Sequence, residues 1–125
     1  MMKFTENMPL YLQVREEIEN AILSCAVKED EAIPSIRKLA QEYRLNPHTI
    51  SAAVTELMLE EYLYKKRGVG IFVSKNSRKK LMKKKKDDFF SIDLKKIIEK
   101  CQFLNISKDE LIKTISQQFS EKGAK

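Results

Sequence analysis

Two short amphipathic segments joined by about four residues constrain the fold of this chain more than any other feature. The first lies within IPSIRKLAQEYRL, where Pro34 ends the preceding segment and the hydroxyl of Ser35 suits a helix cap. The second begins at Asn46 and Pro47, a favourable cap followed by a proline suited to the first helical turn. A connection this short between two helices predicts a helix–turn–helix.

Apolar residues recur at helical spacing and give each of these helices an inner face. These residues are Ile36, Leu39, Ala40 and Tyr43 in the first helix, and Ile50, Ala53, Val54, Leu57 and Met58 in the second. The outer face of the second helix is left with His48, Thr49, Ser51, Ala52 and Thr55. This outer face is therefore polar or small, and it carries no lysine or arginine.

The sequence predicts one helix before this pair and a β-hairpin after it. A helix opening near Pro9 places five residues on one apolar face: Leu10, Val14, Ile18, Ile22 and Cys25. Two β-prone runs, Leu63–Lys65 and Ile71–Ser74, flank the turn sequence RGVG, and Phe72 is expected in the core. Residues 1–75 are thus predicted to form a winged helix–turn–helix domain.

The remainder of the chain, residues 76–125, is predicted to be a helical dimerisation segment, which makes the fold mainly α. Neither glycine nor proline occurs between Ser77 and Gly123, so this part forms one long helix or two before a last helix capped by Ser107. The predicted dimerisation residues are Phe90, Leu94, Ile97, Ile98, Cys101, Leu104, Leu111, Ile112, Ile115 and Phe119. Two amphipathic helices bury too little to be stable alone, so their stripes need the first domain or a second chain. The lysine-rich stretch separates the stripes from the first domain and favours a second chain.

Charge is divided unevenly along the sequence. Residues 1–64 hold 6 basic and 11 acidic side chains, residues 65–86 hold 11 basic and no acidic ones, and residues 87–125 hold 7 of each. The basic block is a candidate contact for a polyanion. On charge alone, a solvated lysine-rich linker or helix face explains it equally well.

Several classes of protein do not fit this sequence. No Gly-rich phosphate loop, nucleophile–base pair or carboxylate pair is present, so we expect no enzymatic activity and no cofactor. The single histidine, His48, has no neighbours at metal-ligand spacing. We find no signal peptide and no run near the ~20 apolar residues of a membrane span, so a cytoplasmic protein is expected. Cys25 and Cys101 are expected to be buried free thiols, with a disulfide as the alternative.

Four motifs, in this order and spacing, resemble the winged helix–turn–helix of GntR-type bacterial transcription regulators. They are PLYLQV, IPSIRKLAQEY, LNPHTISAAVTEL and RGVGIFVS, and they lie within residues 9–74. The helical tail is similar in outline to the YtrA-type subfamily, in which a two-helix dimerisation segment stands in place of a large effector-binding domain.

This resemblance implies a homodimeric repressor that binds a pseudo-palindromic operator in double-stranded DNA. It implies that the second helix lies in the major groove and the wing beside the adjacent backbone or minor groove. Carried over position by position, it gives phosphate contacts to Ser35 and Arg37, and a wing tip at Arg67 and Gly68. The residues that it places at the recognition helix are Asn46, His48, Thr49, Ser51, Ala52 and Thr55.

Positive charge near the recognition helix is expected from Arg37, Lys38 and Arg44, which flank it, and from the run Lys65–Arg67. Of these cations, Arg44 and Lys66 are also predicted to contact DNA. The lysine-rich stretch to Lys86 would add to the same field. A small-molecule effector is left open by the sequence. The short tail has little room for a drug-sized pocket inside one subunit, so an effector site would lie at an interface.

The chain departs from the family pattern at four places. A basic residue common at or beside position 52 is replaced by Ala52, so a guanine-reading side chain is missing there. The usual glycine before IPS is Asp30, the usual Glu-Gly after the recognition helix is Glu60–Glu61, and the wing threonine is Ile71. We expect the last three replacements to be tolerated by the fold.

Two other functions remain compatible with the sequence. The segment KKLMKKKK, with Phe89 and Phe90 nearby, has the composition of a basic helix that docks on anionic lipid. A winged helix that binds RNA or protein is the other possibility, since the predicted first helix is acidic.

Overall fold

The computed structural model describes residues 7–122 and is mainly helical, with one two-stranded antiparallel hairpin, as predicted. In chain order the elements are α1 Leu10–Leu23, α2 Ile36–Tyr43, α3 Pro47–Leu59, β1 Leu63–Lys66, β2 Gly70–Val73, α4 Ser77–Asp88, a π-helical segment Phe89–Asp93, α5 Leu94–Phe103 and α6 Lys108–Glu121. The chain divides into two units, Met1–Lys84 and Lys85–Lys125.

Local side-chain caps begin three of the helices where the sequence places them. Ser35 Oγ accepts a hydrogen bond from the Lys38 amide at 3.1 Å, which opens α2. Ser107 Oγ accepts one from the Glu110 amide at 3.1 Å, which opens α6. In α3 the cap is Asn46 and proline occupies the first turn. Each cap satisfies a backbone N–H that has no partner within the helix.

The core of the first unit lies where α1, α2, α3 and the hairpin meet. Its buried residues are Val14, Ile18, Ile22, Ile33, Leu39, Ala40, Ile50, Ala53, Val54, Leu57, Tyr62, Leu63, Ile71, Val73 and Leu81. Leu81 lies in the lysine-rich helix α4, and Ser77 at its start is fully buried with its hydroxyl donating to the Tyr62 carbonyl at 2.8 Å. The first turns of α4 therefore pack with the first unit, and the division between units falls later than the predicted boundary after residue 75.

Phe72 is not a core residue, contrary to the prediction. Strands β1 and β2 pair in the register Leu63 with Val73 and Tyr64 with Phe72. Because side chains alternate across a sheet, Ile71 and Val73 point into the core and Phe72 lies on the other face. There its ring stacks on Tyr64, with a centroid separation of 5.6 Å.

The predicted apolar face of α1 is also too long at both ends. Leu10 is 42% exposed, and Cys25 is exposed rather than buried. Helix α1 ends at Leu23, and Cys25 takes a left-handed backbone conformation, so the helical spacing stops before it. Both cysteines are free, and Cys101 is buried as expected.

The second unit consists of the helices after Lys84. The Ile106 amide donates to the Cys101 carbonyl at 2.8 Å across the connection from α5 to α6. Among its described residues only Cys101 is buried, and the apolar residues of α5 and α6 are otherwise half-buried or exposed.

Candidate nucleic-acid interface

Helix α3 presents two opposite faces, as the sequence predicts for a recognition helix. Its inner residues Ile50, Ala53, Val54 and Leu57 have no measurable exposure. On its outer face His48, Ala52 and Thr55 are exposed, while Thr49 and Ser51 are half-buried. The outer face therefore offers imidazole and hydroxyl groups, which can donate and accept hydrogen bonds at base edges.

Asn46 is the N-cap of this helix. Its Oδ1 atom accepts a hydrogen bond from the His48 amide at 2.8 Å. The carboxamide oxygen is thus engaged as a cap, which fixes the first turn that carries His48 and Thr49. The side-chain NH₂ group is the part of Asn46 that is suited to donate to an external acceptor.

The wing ends in a tight turn held by one backbone hydrogen bond. The Val69 amide donates to the Lys66 carbonyl at 2.9 Å, and Gly68 has a φ of 75°, a region that a residue without a Cβ adopts readily. Val69 is 71% exposed at the tip, between two glycines. The sequence predicts a wing tip at Arg67 and Gly68 and does not single out this apolar side chain.

Lys66 packs over the face of the Phe72 ring, with its ammonium nitrogen 4.8 Å from the ring centroid. This cation–π contact gives Phe72 a function outside the core, because it holds a lysine on the wing. The contact restricts the freedom of the Lys66 side chain.

A cationic groove of about 420 Å³ lies between the start of α2 and the wing. Its polar and charged lining comes from Ser35 and Arg37 at the start of α2 and from Lys65 and Lys66 in β1. Ile33, Ile36 and Ile71 supply apolar walls, and none of the described residues that line the groove is acidic. The structure thus brings the predicted phosphate-contacting residues Ser35 and Arg37 together with wing lysines in one concavity suited to an anion.

Ion pairs join α1 to the C-terminal end of α3, away from the capped end. The guanidinium of Arg15 donates to Glu19 at 3.1 Å, to Glu56 at 2.8 Å and to Glu60 at 2.7 Å. The hydrogen bond to Glu60 is the largest cause of the raised pKa of Arg15 and of the lowered pKa of Glu60. The sequence did not reveal this cluster, since its members lie on two helices far apart in the chain.

Nine of the ten predicted dimerisation residues lie on α5, α6 and the π-helical segment, and the tenth, Leu104, caps the C-terminal end of α5. Cys101 is buried and Leu94 and Leu111 are half-buried, whereas the other seven are exposed. Phe90 is 65% exposed and Phe119 is 53% exposed. Exposed apolar surface of this extent is typical of an interaction site.

The described residues offer neither a metal-ion cluster nor a membrane-spanning helix. Between residues 7 and 122, no group of three histidine, cysteine, aspartate or glutamate side chains is placed to hold a metal ion. Over the same range, no helix has the length and apolar character needed to cross a membrane.

A three-helix core, a short turn into a capped helix with a polar outer face, and a two-stranded wing define a winged helix–turn–helix protein. Residues 10–73 match the family model described as bacterial regulatory proteins, gntR family. The chain belongs to the GntR family, and it is a DNA-binding transcription regulator.

Two curated relatives differ in how much of them the chain covers. It is 41% identical over 70 residues to the arabinose metabolism transcriptional repressor of Geobacillus stearothermophilus, which is 56% of this chain but only 19% of that protein. It is 28% identical to the HTH-type transcriptional repressor YtrA of Bacillus subtilis, over 94% of this chain and 90% of that protein. The second match includes the helical tail and confirms the resemblance to the YtrA type.

Two solved structures show the same likeness to transcription regulators, one over most of the chain and one over the winged domain. A GntR family transcriptional regulator from Listeria monocytogenes has a TM-score of 0.75 and 26% identity, and the match covers 91% of this chain and 98% of that one. The DNA-binding domain of AraR in complex with operator ORE1 has a TM-score of 0.53 and 32% identity, and it covers 59% of this chain and 90% of that one. These comparisons favour DNA over lipid or RNA as the partner.

Proposed function

We propose that this chain is a cytoplasmic, non-enzymatic repressor that binds a pseudo-palindromic DNA operator as a homodimer. The observation that carries the proposal is the division of α3 into a fully buried inner face and an accessible polar outer face. Such a helix can enter the major groove without loss of core packing. The similarity of the winged domain to an AraR domain bound to its operator supports the same reading.

In this proposal, the residues that recognise the bases differ from those that attract the phosphates. Hydrogen bonds to base edges come from the outer face of α3, through His48, Thr49, Ser51 and Thr55, with the NH₂ group of Asn46. Phosphate contacts come from the cationic groove, with Ser35 and Arg37, and from Lys66, Arg67 and Gly68 on the wing. Phosphate contacts fix the register of the protein on the duplex, and base contacts supply the sequence preference.

A homodimer is supported by the exposed apolar faces of α5 and α6. Ile97 and Ile98 are each 44% exposed and Ile112 is 49% exposed, although all three lie at core-type helical spacing. A second copy of the same segment offers an equivalent apolar face, as a two-fold symmetric interface requires. Two recognition helices would then read half-sites related by the same symmetry, which gives the operator its palindromic form.

Selection from a pool of random duplexes tests this proposal without a prior choice of operator. The full chain is incubated with the pool at about 0.15 M salt, and bound duplexes are amplified and sequenced. We expect an inverted repeat with half-sites about one helical turn apart, bound at least roughly 1000-fold more tightly than a random duplex. Retention of duplexes with no common sequence would refute specific recognition, and an enriched single half-site would refute the symmetric dimer.

A further inference from the structure

Six residues other than glycine have a positive φ among the residues that the structure describes. They are Cys25, Asp30, Arg44, Glu61, Asn76 and Asn105. The left-handed region is disfavoured for L-residues with a Cβ, and asparagine and aspartate tolerate it best. Arg44, with a φ of 56°, is not of a tolerant type and lies at the entry to the recognition helix.

The backbone at this point does not require an arginine. Arg44 follows α2 as its C-cap, and its N–H donates to the carbonyl of Ala40, which also accepts a hydrogen bond from the Leu45 amide at 3.1 Å. These bonds belong to the main chain and would form with any residue other than proline. Glycine would make the same turn without the steric conflict of a Cβ.

The Arg44 side chain makes no polar contact that would offset this strain. It is exposed, and within residues 7–122 its guanidinium has no hydrogen bond or ion pair. Two positions later the chain reaches Asn46, the cap of α3, and α3 itself contains no lysine or arginine. Arg44 is therefore the cation nearest in sequence to α3, a helix without lysine or arginine, and it occupies a strained backbone position.

We propose that Arg44 is held in this conformation because it binds a phosphate of the operator backbone beside the bases that α3 reads. A guanidinium donates two parallel hydrogen bonds to phosphate oxygens, so it adds orientation as well as charge. This inference rests on the proposed function, and it assigns to one residue the attraction that α3 does not provide. Backbone strain at functional positions is a known pattern, and here it predicts opposite effects on stability and on binding.

Arg44→Gly tests the inference, with Arg44→Lys beside it. The full-length variants are measured by thermal melting and by titration onto two labelled duplexes, the selected operator and a random-sequence duplex. We expect Arg44→Gly to melt a few degrees higher than the parent chain. On both duplexes its affinity at about 0.15 M salt should fall about five-fold per protomer. Five-fold is about the change in affinity that one phosphate contact produces through counterion release between 1 M and 0.15 M salt. The slope of log affinity against log salt should become shallower by about 0.9 per protomer.

Two matched controls separate a phosphate contact from general effects. Lys28→Gln removes one exposed positive charge from the loop after α1, and Glu61→Gly relieves the same backbone conformation beyond the other end of α3. Neither control variant should weaken binding as Arg44→Gly does. Arg44→Lys should keep most of the affinity of the parent chain and melt at the same temperature as the parent chain.

Each outcome bears on a different statement. If Arg44→Gly melts higher but keeps its affinity and salt slope on both duplexes, the phosphate contact is wrong. If only the operator complex weakens, Arg44 reads a base and the phosphate assignment is again wrong. Failure of the parent chain to prefer the selected duplex over the random one refutes the proposed function, while the salt slopes on the random duplex still decide the role of Arg44.

Discussion

Arg15 in α1 and Glu60 at the end of α3 form a bidentate ion pair, with Nη1 to Oε2 at 2.5 Å and Nη2 to Oε1 at 2.7 Å. The same guanidinium bonds Glu56 and Glu19, so one cation holds three carboxylates at the junction of two helices. This junction lies at the opposite end of α3 from the capped first turn. It fixes α3 against α1 without using the surface that we propose binds DNA.

Arg15→Met should destabilise the first unit by about 1–2 kcal/mol, because it leaves the three carboxylates without their common cation. This estimate is below that for a fully buried pair, since Glu56 and Glu60 are partly exposed. Chemical denaturation of the full chain at neutral pH measures the effect. Arg15→Lys keeps the charge but not the bidentate geometry, so its stability should lie between that of the parent chain and that of Arg15→Met. Equal stability of all three chains would contradict the role of the cluster.

The same ion pair predicts a dependence of stability on pH. The hydrogen bond from Arg15 holds the pKa of Glu60 below its ordinary value of 4.5. A carboxyl whose folded-state pKa is lowered contributes stability above its unfolded value, and this contribution is lost as the pH falls through the folded-state value. Melting temperatures of the parent chain should therefore decline below about pH 4.5, and the decline should be smaller in Glu60→Gln. Parallel curves for the two chains would show that this carboxyl does not contribute.

Two replacements of a family glycine have different structural consequences. Asp30 and Glu61 both have a positive φ, of 63° and 67°. The Asp30 carboxylate accepts a hydrogen bond from the Tyr64 hydroxyl at 3.1 Å, which compensates part of the strain. No polar partner of the Glu61 side chain is found in the described part of the chain.

Glu61→Gly should therefore stabilise the fold by about 0.5–1 kcal/mol, whereas Asp30→Gly should change stability little. For Asp30→Gly the relief of backbone strain is offset by the lost hydrogen bond. Thermal melting of the two variants beside the parent chain measures the difference. A larger gain for Asp30→Gly than for Glu61→Gly would contradict the compensation by Tyr64.

The exposed stripe of the second unit gives a prediction about assembly. Ile98→Glu places a charge in the proposed dimer interface, which should weaken self-association roughly 100-fold or more while the chain remains helical. Sedimentation velocity and circular dichroism measure the two properties. Gln102→Glu is the matched control, because it adds the same charge at an exposed polar position of α5. Equal loss of association in both variants would argue against the apolar stripe as the interface.

Local signals in the sequence predicted the helix starts, because a cap involves only neighbouring residues. Ser35, Asn46 and Ser107 each bond an amide two or three residues ahead. Features that depend on long-range packing were predicted less well. The orientation of Phe72 depends on the register of the hairpin, and the burial of Leu81 depends on how α4 meets the first core.

In the candidate site too, local features could be predicted from the sequence and long-range ones could not. The outer face of α3 could be derived from helical spacing alone, since its inner residues are apolar without interruption. The groove between α2 and the wing requires a close approach of residues about 30 positions apart, which only the family resemblance suggested. The backbone of Arg44 was not predictable, because arginine is a common helix residue and nothing in its neighbours requires a positive φ.

Ala52→Arg tests the register of the recognition helix. Ala52 is exposed on the outer face of α3, so an arginine there can reach a phosphate or the edge of a guanine. We expect the affinity for DNA to rise about five-fold per protomer if the new side chain meets a phosphate, or the selected operator to gain a guanine if it meets a base. Ala26→Arg makes the same chemical change at an exposed position of the loop after α1 and should do neither. If Ala52→Arg and Ala26→Arg behave alike in titration and in duplex selection, position 52 does not face the groove. The face of α3 that reads DNA would then have to be rotated from the one proposed.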